Sequence, residues 1–152
     1  MAQDAAAPAA DLRLQIRAAD LDADFPAIKL VRETVFWLEQ RIPKDLEFDD
    51  RDAHCLHLLA LERNTPIGTA RLDLALGGKI GRVAVLAEHR RRGVASALLQ
   101  RLHEIASDRG LRSVWCNAQR SAVPLYEQLG YIVTSAPFDE AGIEHVRMER
   151  QL

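Results

Sequence analysis

Hydrophobic positions along the chain recur with two periods, one of two residues and one near 3.6, which predicts strands interleaved with helices. Leu12–Ala18 alternates apolar and polar residues as a strand does, and Pro26–Gln40 carries an apolar stripe at helical spacing. The later segments are predicted as strands at Ala53–Glu62, Ile67–Leu76, Lys79–Leu86 and Leu111–Ala118, helices at Gly93–Arg109 and Ser121–Gly130, and an antiparallel pair at Tyr131–Ala136 and Glu144–Arg150. The order β-α-β-β-β-α-β-α-β-β predicts one α/β domain.

Capping and turn residues mark the ends of these elements. An Asp-rich segment, Asp20–Asp24, precedes the first helix and Ser121 precedes the last, and both offer side chains that cap helix N-termini. Gly77–Gly78 predicts a tight hairpin, and Gly110 predicts a left-handed end to the second helix. The core stripe of the first helix is predicted to comprise Ile28, Val31, Val35 and Leu38.

Composition narrows the function classes. Of 152 residues, 48% are hydrophobic and 28% charged, and the net charge of −2 gives no general attraction to nucleic acid or to an anionic membrane. No apolar run approaches the roughly 20 residues of a membrane helix. Cys55 and Cys116 form no CxxC pair, which argues against a zinc site and predicts a reducing cytoplasm. Residues 1–11 lack a basic start and are predicted to be a disordered leader before a domain at 12–152.

The segment RRRGVA, Arg90–Ala95, lies between a predicted strand and a predicted helix. A helix N-terminus presents unpaired N–H groups and about half a positive charge, which favour an anion. Gly93 and Ala95 leave room for a phosphate near the backbone, so the segment predicts a pyrophosphate cradle. A solvated run of arginines before an ordinary helix stays open as the alternative. The absence of GxxxxGK[ST] and GxGxxG argues against a P-loop or dinucleotide fold.

Two motifs in the second half of the chain resemble those of a known family. Val83–Leu99, VAVLAEHRRRGVASALL, is similar to the acyl-CoA loop of the GNAT acetyltransferases, whose pattern is Arg/Gln-x-x-Gly-x-Gly/Ala. Arg90, Gly93 and Ala95 occupy those places. Leu125–Tyr131, LYEQLGY, is similar to the family's next motif.

Within this superfamily the chain most resembles the ElaA/YjcF-like branch. Supporting segments include Arg32–Asp52 and Ala141–Glu149, and the resemblance spans about Leu12 to Glu149. Glu144 departs from the branch, where proline is expected before His145. The resemblance implies the GNAT acyl-CoA N-acyltransferase fold, an α/β (α+β) architecture with a mixed twisted sheet, splayed central strands and helices on both faces.

The resemblance also implies an acetyl-CoA-dependent N-acetyltransferase that works by direct attack of an amine, with no metal. The pantetheine arm is expected to pair with Val83 and Val85 on one central strand and with Asn117 on the other. The Val85 N–H is the expected oxyanion donor, and Tyr126 is the expected acid for the departing thiolate. The remaining cofactor contacts are expected from Arg90, Arg91, Arg92, Gly93, Val94, Ala95 and Ser96.

The acceptor and the general base stay open. A small-molecule or peptide amine is the expected acceptor, with modest preference for contacts from Glu39, Gln40 and His145. Glu47–Asp52 is interpreted as a polar connector that could turn one carboxylate toward the acceptor. The alternative functions are acyl transfer from another acyl-CoA and a non-catalytic acyl-CoA sensor. The oligomeric state is open, and a homodimer is one possibility. The candidate bases are Glu33, Glu39, Glu47, His54, His57 and His145.

Overall fold

The computed structural model describes residues 13–44 and 48–152, so the predicted leader and Glu47 lie outside the described residues. Eight strands form one sheet: β1 (Leu14–Ala19), β2 (Leu56–Glu62), β3 (Thr65–Asp73), β4 (Lys79–Val85), β5 (Ser113–Gln119), β6 (Ile132–Val133), β7 (Phe138–Glu140) and β8 (Ile143–Gln151). The α-helices are α1 (Phe25–Arg32), α2 (Val94–Asp108) and α3 (Val123–Gln128).

The sheet is mixed and opens at its centre. Its strand order is β1-β2-β3-β4-β5-β8-β6, with β7 also paired to β8. Neighbouring strands run antiparallel except β4 and β5, which are parallel and pair only at Lys79 and Trp115. Beyond that pair the two strands diverge. The predicted splayed centre is confirmed, and the gap exposes one edge of β4.

Helices cover both faces of the sheet, as predicted. Successive residues of β2 point to opposite faces. Leu59 and Leu61 pack with Ile28 of α1, whereas Leu58 and Ala60 belong to the cluster that includes Leu98 of α2. Because both faces are covered, β3 is buried without interruption from Ile67 to Asp73 and does not show the predicted alternation.

Gly68 allows α2 to approach the sheet closely. A Cβ at this position would lie 3.3 Å from side-chain atoms of both Val94 and Leu98 and 3.2 Å from the Ala84 carbonyl oxygen. The first turn of α2 therefore lies directly over β3 and β4, which brings its N-terminus to the end of β4.

The first predicted helix, Pro26–Gln40, is not a single α-helix. It continues from α1 as a π-helical segment, Glu33–Glu39, in which the Gln40 N–H donates to the Val35 carbonyl five residues back. The wider turn rotates the following side chains relative to α-helical spacing. Phe36 is therefore buried, while Leu38, predicted for the core, is 58% exposed.

Several predicted boundaries are also wrong. β2 begins only at Leu56, after a 3₁₀ turn at Asp52–His54, and Leu74–Leu76 forms another turn instead of extending β3. The link from β3 to β4 is thus longer than the predicted two-residue Gly77–Gly78 hairpin. β7 was not predicted.

Two of the three predicted helix caps are wrong and one is confirmed. Ser121 falls within a 3₁₀ turn, and Ala122 occupies the N-cap of α3. Asp24 caps no helix with its side chain, because its carboxylate accepts hydrogen bonds from Arg17 at 2.9 and 3.0 Å. The predicted left-handed residue after α2 is confirmed, since Gly110 has a φ of +85°.

Candidate active site

A bulge in β4 shapes the edge that faces the gap. Thr69 pairs with Ala84 and Arg71 pairs with Gly81, so two residues of β4, Arg82 and Val83, oppose one residue of β3. Arg82 has a φ of +51°, which is uncommon for a residue other than glycine. Such a bulge bends its strand and interrupts pairing, and here it lies where β4 and β5 separate.

The backbone of Val85 points into the gap. The Leu86 N–H donates to the Ile67 carbonyl at 2.9 Å, and neighbouring residues of a strand direct their polar groups to opposite sides. The N–H and C=O of Val85 therefore face away from β3, toward the side that β5 has left. The carbonyl accepts a 2.8 Å hydrogen bond from Arg90 Nε.

The N-terminus of α2 offers a set of backbone donors. Its first intrahelical hydrogen bond runs from the Ala97 N–H to the Gly93 carbonyl at 3.0 Å, so the N–H groups of Val94, Ala95 and Ser96 have no intrahelical acceptor. Gly93 has a φ of +82°, a left-handed conformation that favours glycine. No acidic side chain lies in the first turn, so the positive end of the helix dipole is not offset there.

The three arginines before this helix differ in their surroundings. Arg90 also donates to Glu39 at 2.7 Å, and Arg92 donates to Glu62 at 2.5 Å. Arg91 has a φ of +61° and an exposed side chain that forms no ion pair with any described residue. Two of the three charges are therefore held by carboxylates, and Arg91 extends to solvent.

A cavity of about 420 Å³ occupies the gap between β4 and β5. Of the residues predicted for the site, Val83, Asn117, Tyr126 and Gln40 line it. Gln40 and Gln119 bridge the cavity through reciprocal amide hydrogen bonds of 2.7 and 3.2 Å. The other predicted residues lie outside its lining: Val85, Glu39, His145 and all seven from Arg90 to Ser96.

Tyr126 is buried beside the cavity. Its side chain is 6% exposed, while Leu125 and Leu129 are only partly buried. It meets Tyr131 edge-on at 5.1 Å between ring centroids. Burial, together with the neighbouring Cys116 and Tyr131, raises the pKa of Tyr126 well above its ordinary value, so the phenol is protonated at neutral pH.

A network of arginines and aspartates forms the opposite wall. Arg71 donates to Asp49 and Asp52 at 2.7 Å, and Arg82 donates to Asp49 at 3.1 Å. Burial alone would raise the pKa of Asp49, but Arg71 and Arg82 outweigh it and hold the value at about 2. Arg32 also donates to Asp52, at 2.8 Å. These carboxylates are ionised at neutral pH and are already engaged.

We expect Asp49→Asn to destabilise the protein at pH 7 by about 1–3 kcal/mol, because Arg71 and Arg82 lose a charged hydrogen-bond partner. The folded-state pKa of Asp49 is depressed to about 2 from an ordinary 3.8. Its contribution is therefore fully present above pH 4 and is lost as the pH falls toward 2. Urea unfolding of both proteins at pH 7 and pH 3 measures this; a stability difference that grows at pH 3 contradicts the assignment.

Several residues of the cavity wall were missed by the sequence analysis. The connector was interpreted as polar, with one carboxylate that could face the acceptor, and its ion pairs with β3 were not predicted. Arg51 donates to Asp73 through two 2.8 Å hydrogen bonds. The Ala141–Gly142 turn could have signalled β7. Apart from Asp49, which belongs to that connector, the missed lining residues with ionisable side chains are Arg51, Arg71, Asp73, Lys79, Arg82 and Glu140.

Three further candidate bases, Glu33, His54 and His57, do not line the cavity. Glu33 pairs with Lys44 at 3.2 Å, His54 is exposed in a turn, and His57 is buried with its Nε2 2.8 Å from the Asp52 carbonyl oxygen. No group of three or more His, Cys, Asp or Glu side chains in 13–44 and 48–152 could hold a metal ion. Over the same residues, no helix has the length and apolar character needed to cross a membrane.

Comparisons with known proteins agree with this architecture. The model of the acetyltransferase (GNAT) domain matches residues 29–152. The N-acetyltransferase YjcF of Bacillus subtilis (strain 168) is 36% identical over 120 residues, covering 78% of this chain and 86% of YjcF. A crystal structure from Lactobacillus plantarum superposes with a TM-score of 0.83 at 33% identity, covering 91% of this chain and 98% of that one. Escherichia coli ElaA shares the fold, with a TM-score of 0.78 at 23% identity over 90% and 99% of the two chains.

The chain belongs to the GNAT acetyltransferase family. It is an acetyl-CoA-dependent N-acetyltransferase. The predicted resemblance to the ElaA/YjcF-like branch is confirmed by the relatives that match.

Proposed function

We propose that this protein binds acetyl-CoA along the open edge of β4 and transfers the acetyl group directly to an amine that enters from the cavity. The pyrophosphate lies against the N–H groups of Val94, Ala95 and Ser96, where the helix dipole favours an anion. Arg91 adds charge from the solvent side. Gly93 keeps the approach to the backbone free of a side chain.

One observation supports this proposal above the others: β4 and β5 pair at a single position and then separate around a cavity. An extended arm with amide groups can pair with the free edge of β4 as a strand would. Val83 and Asn117 line opposite sides of the gap and are the proposed partners of the pantetheine arm.

Val85 and Arg90 occupy the cofactor end of the same edge. The Val85 N–H faces the gap and is the proposed donor to the thioester oxygen as that oxygen becomes negative. The Arg90 guanidinium already holds the Val85 carbonyl, so the carbonyl is available to the arm only when Arg90 moves. Glu39 pairs with Arg90 and directly precedes Gln40. In this proposal its carboxylate therefore lies near both the cofactor and the cavity.

Tyr126 completes the proposed chemistry. Attack of the amine forms a C–N bond, and collapse of the tetrahedral intermediate breaks the C–S bond. The phenol of Tyr126 lies on the cavity wall and is protonated at neutral pH, so it can supply a proton to the departing thiolate.

Acetyl-CoA is expected to stabilise the protein, whereas NAD and ATP are not, because their binding motifs are absent. Ligand at 100 times its dissociation constant adds about 2.7 kcal/mol of stability, which corresponds to a rise in Tm of roughly 5–10 °C for a domain of this size. Thermal unfolding with each nucleotide measures the effect. An unchanged Tm with both acetyl-CoA and CoA would remove the proposed binding site.

A screen for free-thiol release tests the transfer itself. The acceptors are polyamines, amino acids, aminoglycosides and peptides, with acetyl-CoA as donor and the acetylated product identified by mass spectrometry. Acceptor-dependent thiol release supports transfer to an amine. Binding of acetyl-CoA without thiol release would instead favour a sensor, and faster release from a longer acyl-CoA would change the donor. We further propose that the protein works in the cytoplasm, as its unpaired cysteines suggest.

A further inference from the structure

The carboxylate of Glu140 lies on the cavity wall. Among the described residues, it forms no ion pair with an arginine or lysine side chain. It ends β7, and the turn at Ala141–Gly142 returns the chain to β8. The Asn117 side-chain amide donates to Glu140 Oε1 at 3.3 Å. The side chain is 45% exposed, so it reaches both the cavity and solvent.

His145 lies on the other side of this carboxylate. Its Nδ1 is 2.7 Å from the Ile143 carbonyl oxygen, which requires Nδ1 to carry a hydrogen and donate it. In the neutral imidazole Nε2 then carries a lone pair, and this atom is 3.7 Å from Glu140 Oε2. At that distance the two atoms form no hydrogen bond, so Glu140 Oε2 accepts none from His145.

The other carboxylates on the cavity wall are poorly suited to accept a proton. Hydrogen bonds from Arg51 lower the pKa of Asp73, and Arg71 and Arg82 hold the pKa of Asp49 at about 2 despite its burial. Protonation of either would break charged hydrogen bonds that fix the wall. Glu140 is the cavity carboxylate whose protonation disturbs no arginine.

We propose that Glu140 is the general base of the reaction and that the acceptor is an alkylamine that arrives as an ammonium ion. This inference rests on the proposed function. The carboxylate attracts the ammonium and removes one proton, which leaves the nitrogen lone pair free to attack the thioester carbon. Asn117 is a positioning residue, because its amide fixes the orientation of the carboxylate.

The protons balance over one cycle. Glu140 takes the first proton from the ammonium and releases it to solvent. Tyr126 gives its proton to the CoA thiolate and recovers one from the nitrogen as the amide forms. The net reaction converts an ammonium and acetyl-CoA to an amide, CoA and one proton, and it requires no oxidant, reductant or further reactant.

The test compares Glu140→Gln with wild type, using the alkylamine that gives the fastest thiol release among spermidine, putrescine, L-lysine and a tripeptide. We expect kcat at pH 7 to fall by about a hundredfold or more, with acetyl-CoA affinity unchanged within twofold. Raising the pH from 7 to 9 should increase kcat/KM of the variant by about tenfold per unit, because solvent then supplies the neutral amine. Wild type should respond less. The charged or titratable described groups around Glu140 are Asp139 on β7, Glu144 and His145 on β8 and, on the cavity wall, Asp49, Arg51, Arg71, Asp73, Lys79, Arg82 and Tyr126.

Asp139→Asn is the matched control, since it removes the same charge from the neighbouring, exposed position of β7 outside the cavity lining. It should retain wild-type turnover. Glu140→Asp keeps a carboxylate and should fall between wild type and Glu140→Gln. Wild-type turnover by Glu140→Gln, or equal losses in Glu140→Gln and Asp139→Asn, overturns this inference and leaves the proposed function standing. Acetyl-CoA binding with no thiol release by wild type overturns the proposed function and this inference together.

Discussion

Tyr126→Phe is expected to lower turnover at neutral pH by about ten- to a thousand-fold while acetyl-CoA affinity and the fold are retained. The substitution removes one hydroxyl from the cavity wall and leaves the aromatic packing in place. Without that proton the thiolate must leave unassisted, which is slower although a thiol of pKa near 8.5 permits it. The measurement is kcat with one acceptor at saturation, with acetyl-CoA binding measured separately.

Tyr131→Phe provides a matched control inside the same aromatic pair. Tyr131 is 2% exposed, and its hydroxyl lies 2.6 Å from His103 Nε2, outside the cavity lining. Loss of either buried hydroxyl should cost comparable stability, but only the loss at Tyr126 should slow the reaction. Wild-type turnover by Tyr126→Phe would leave direct departure of the thiolate as the mechanism.

Gly93→Val is expected to weaken acetyl-CoA binding by about a hundredfold, equivalent to about 2.7 kcal/mol. Two effects combine at this position. A φ of +82° disfavours a β-branched side chain, and the space beside the Gly93 Cα holds no protein atom within 4 Å of an added Cβ. The valine side chain would therefore enter the approach to the α2 donors. Isothermal titration with CoA gives the affinity.

Gly110→Val separates backbone strain from ligand exclusion. Gly110 follows the opposite end of α2, has a φ of +85°, and also meets nothing within 4 Å of an added Cβ. Both valine variants should lose similar stability, whereas Gly110→Val should bind CoA normally. Arg90→Ala should have a milder effect than Gly93→Val, since it removes screened charge and frees the Val85 carbonyl. Normal CoA affinity in both Gly93→Val and Arg90→Ala would move the anion site elsewhere.

Local chemistry explains why the sequence predicted the strand and the helix on either side of Arg90–Ala95. The nearly continuous run of small and β-branched residues in Lys79–Leu86 and the helical period after Gly93 are signals carried by near neighbours in the chain. The backbone at the start of α2 has a left-handed φ of +82°, which favours glycine. Gly93 therefore marks the start of this helix in the sequence. The motif resemblance then supplied the family, which the comparisons confirm.

The acceptor side of the site could not be located in this way. Arg51 and Asp73, or Asp49 and Arg82, are separated by more than 20 residues, and each side chain alone resembles ordinary surface charge. The π-helical turn buries Phe36 and exposes Leu38, whereas α-helical spacing predicts a buried Leu38. This turn depends on packing against β4, which is far away in the chain.

The sequence by itself determined the order of most strands and helices, the left-handed Gly110 and the start of α2, because each depends on local backbone preference and hydrophobic period. Only the tertiary structure decided which side chains share the cavity. Asn117 and Glu140, which line the cavity, and His145 beside them come from three strands, and their approach depends on the register of β8 against both β5 and β7. Register is fixed by long-range pairing and burial, so a carboxylate at the end of a three-residue strand acquires its chemical role only once the sheet is assembled.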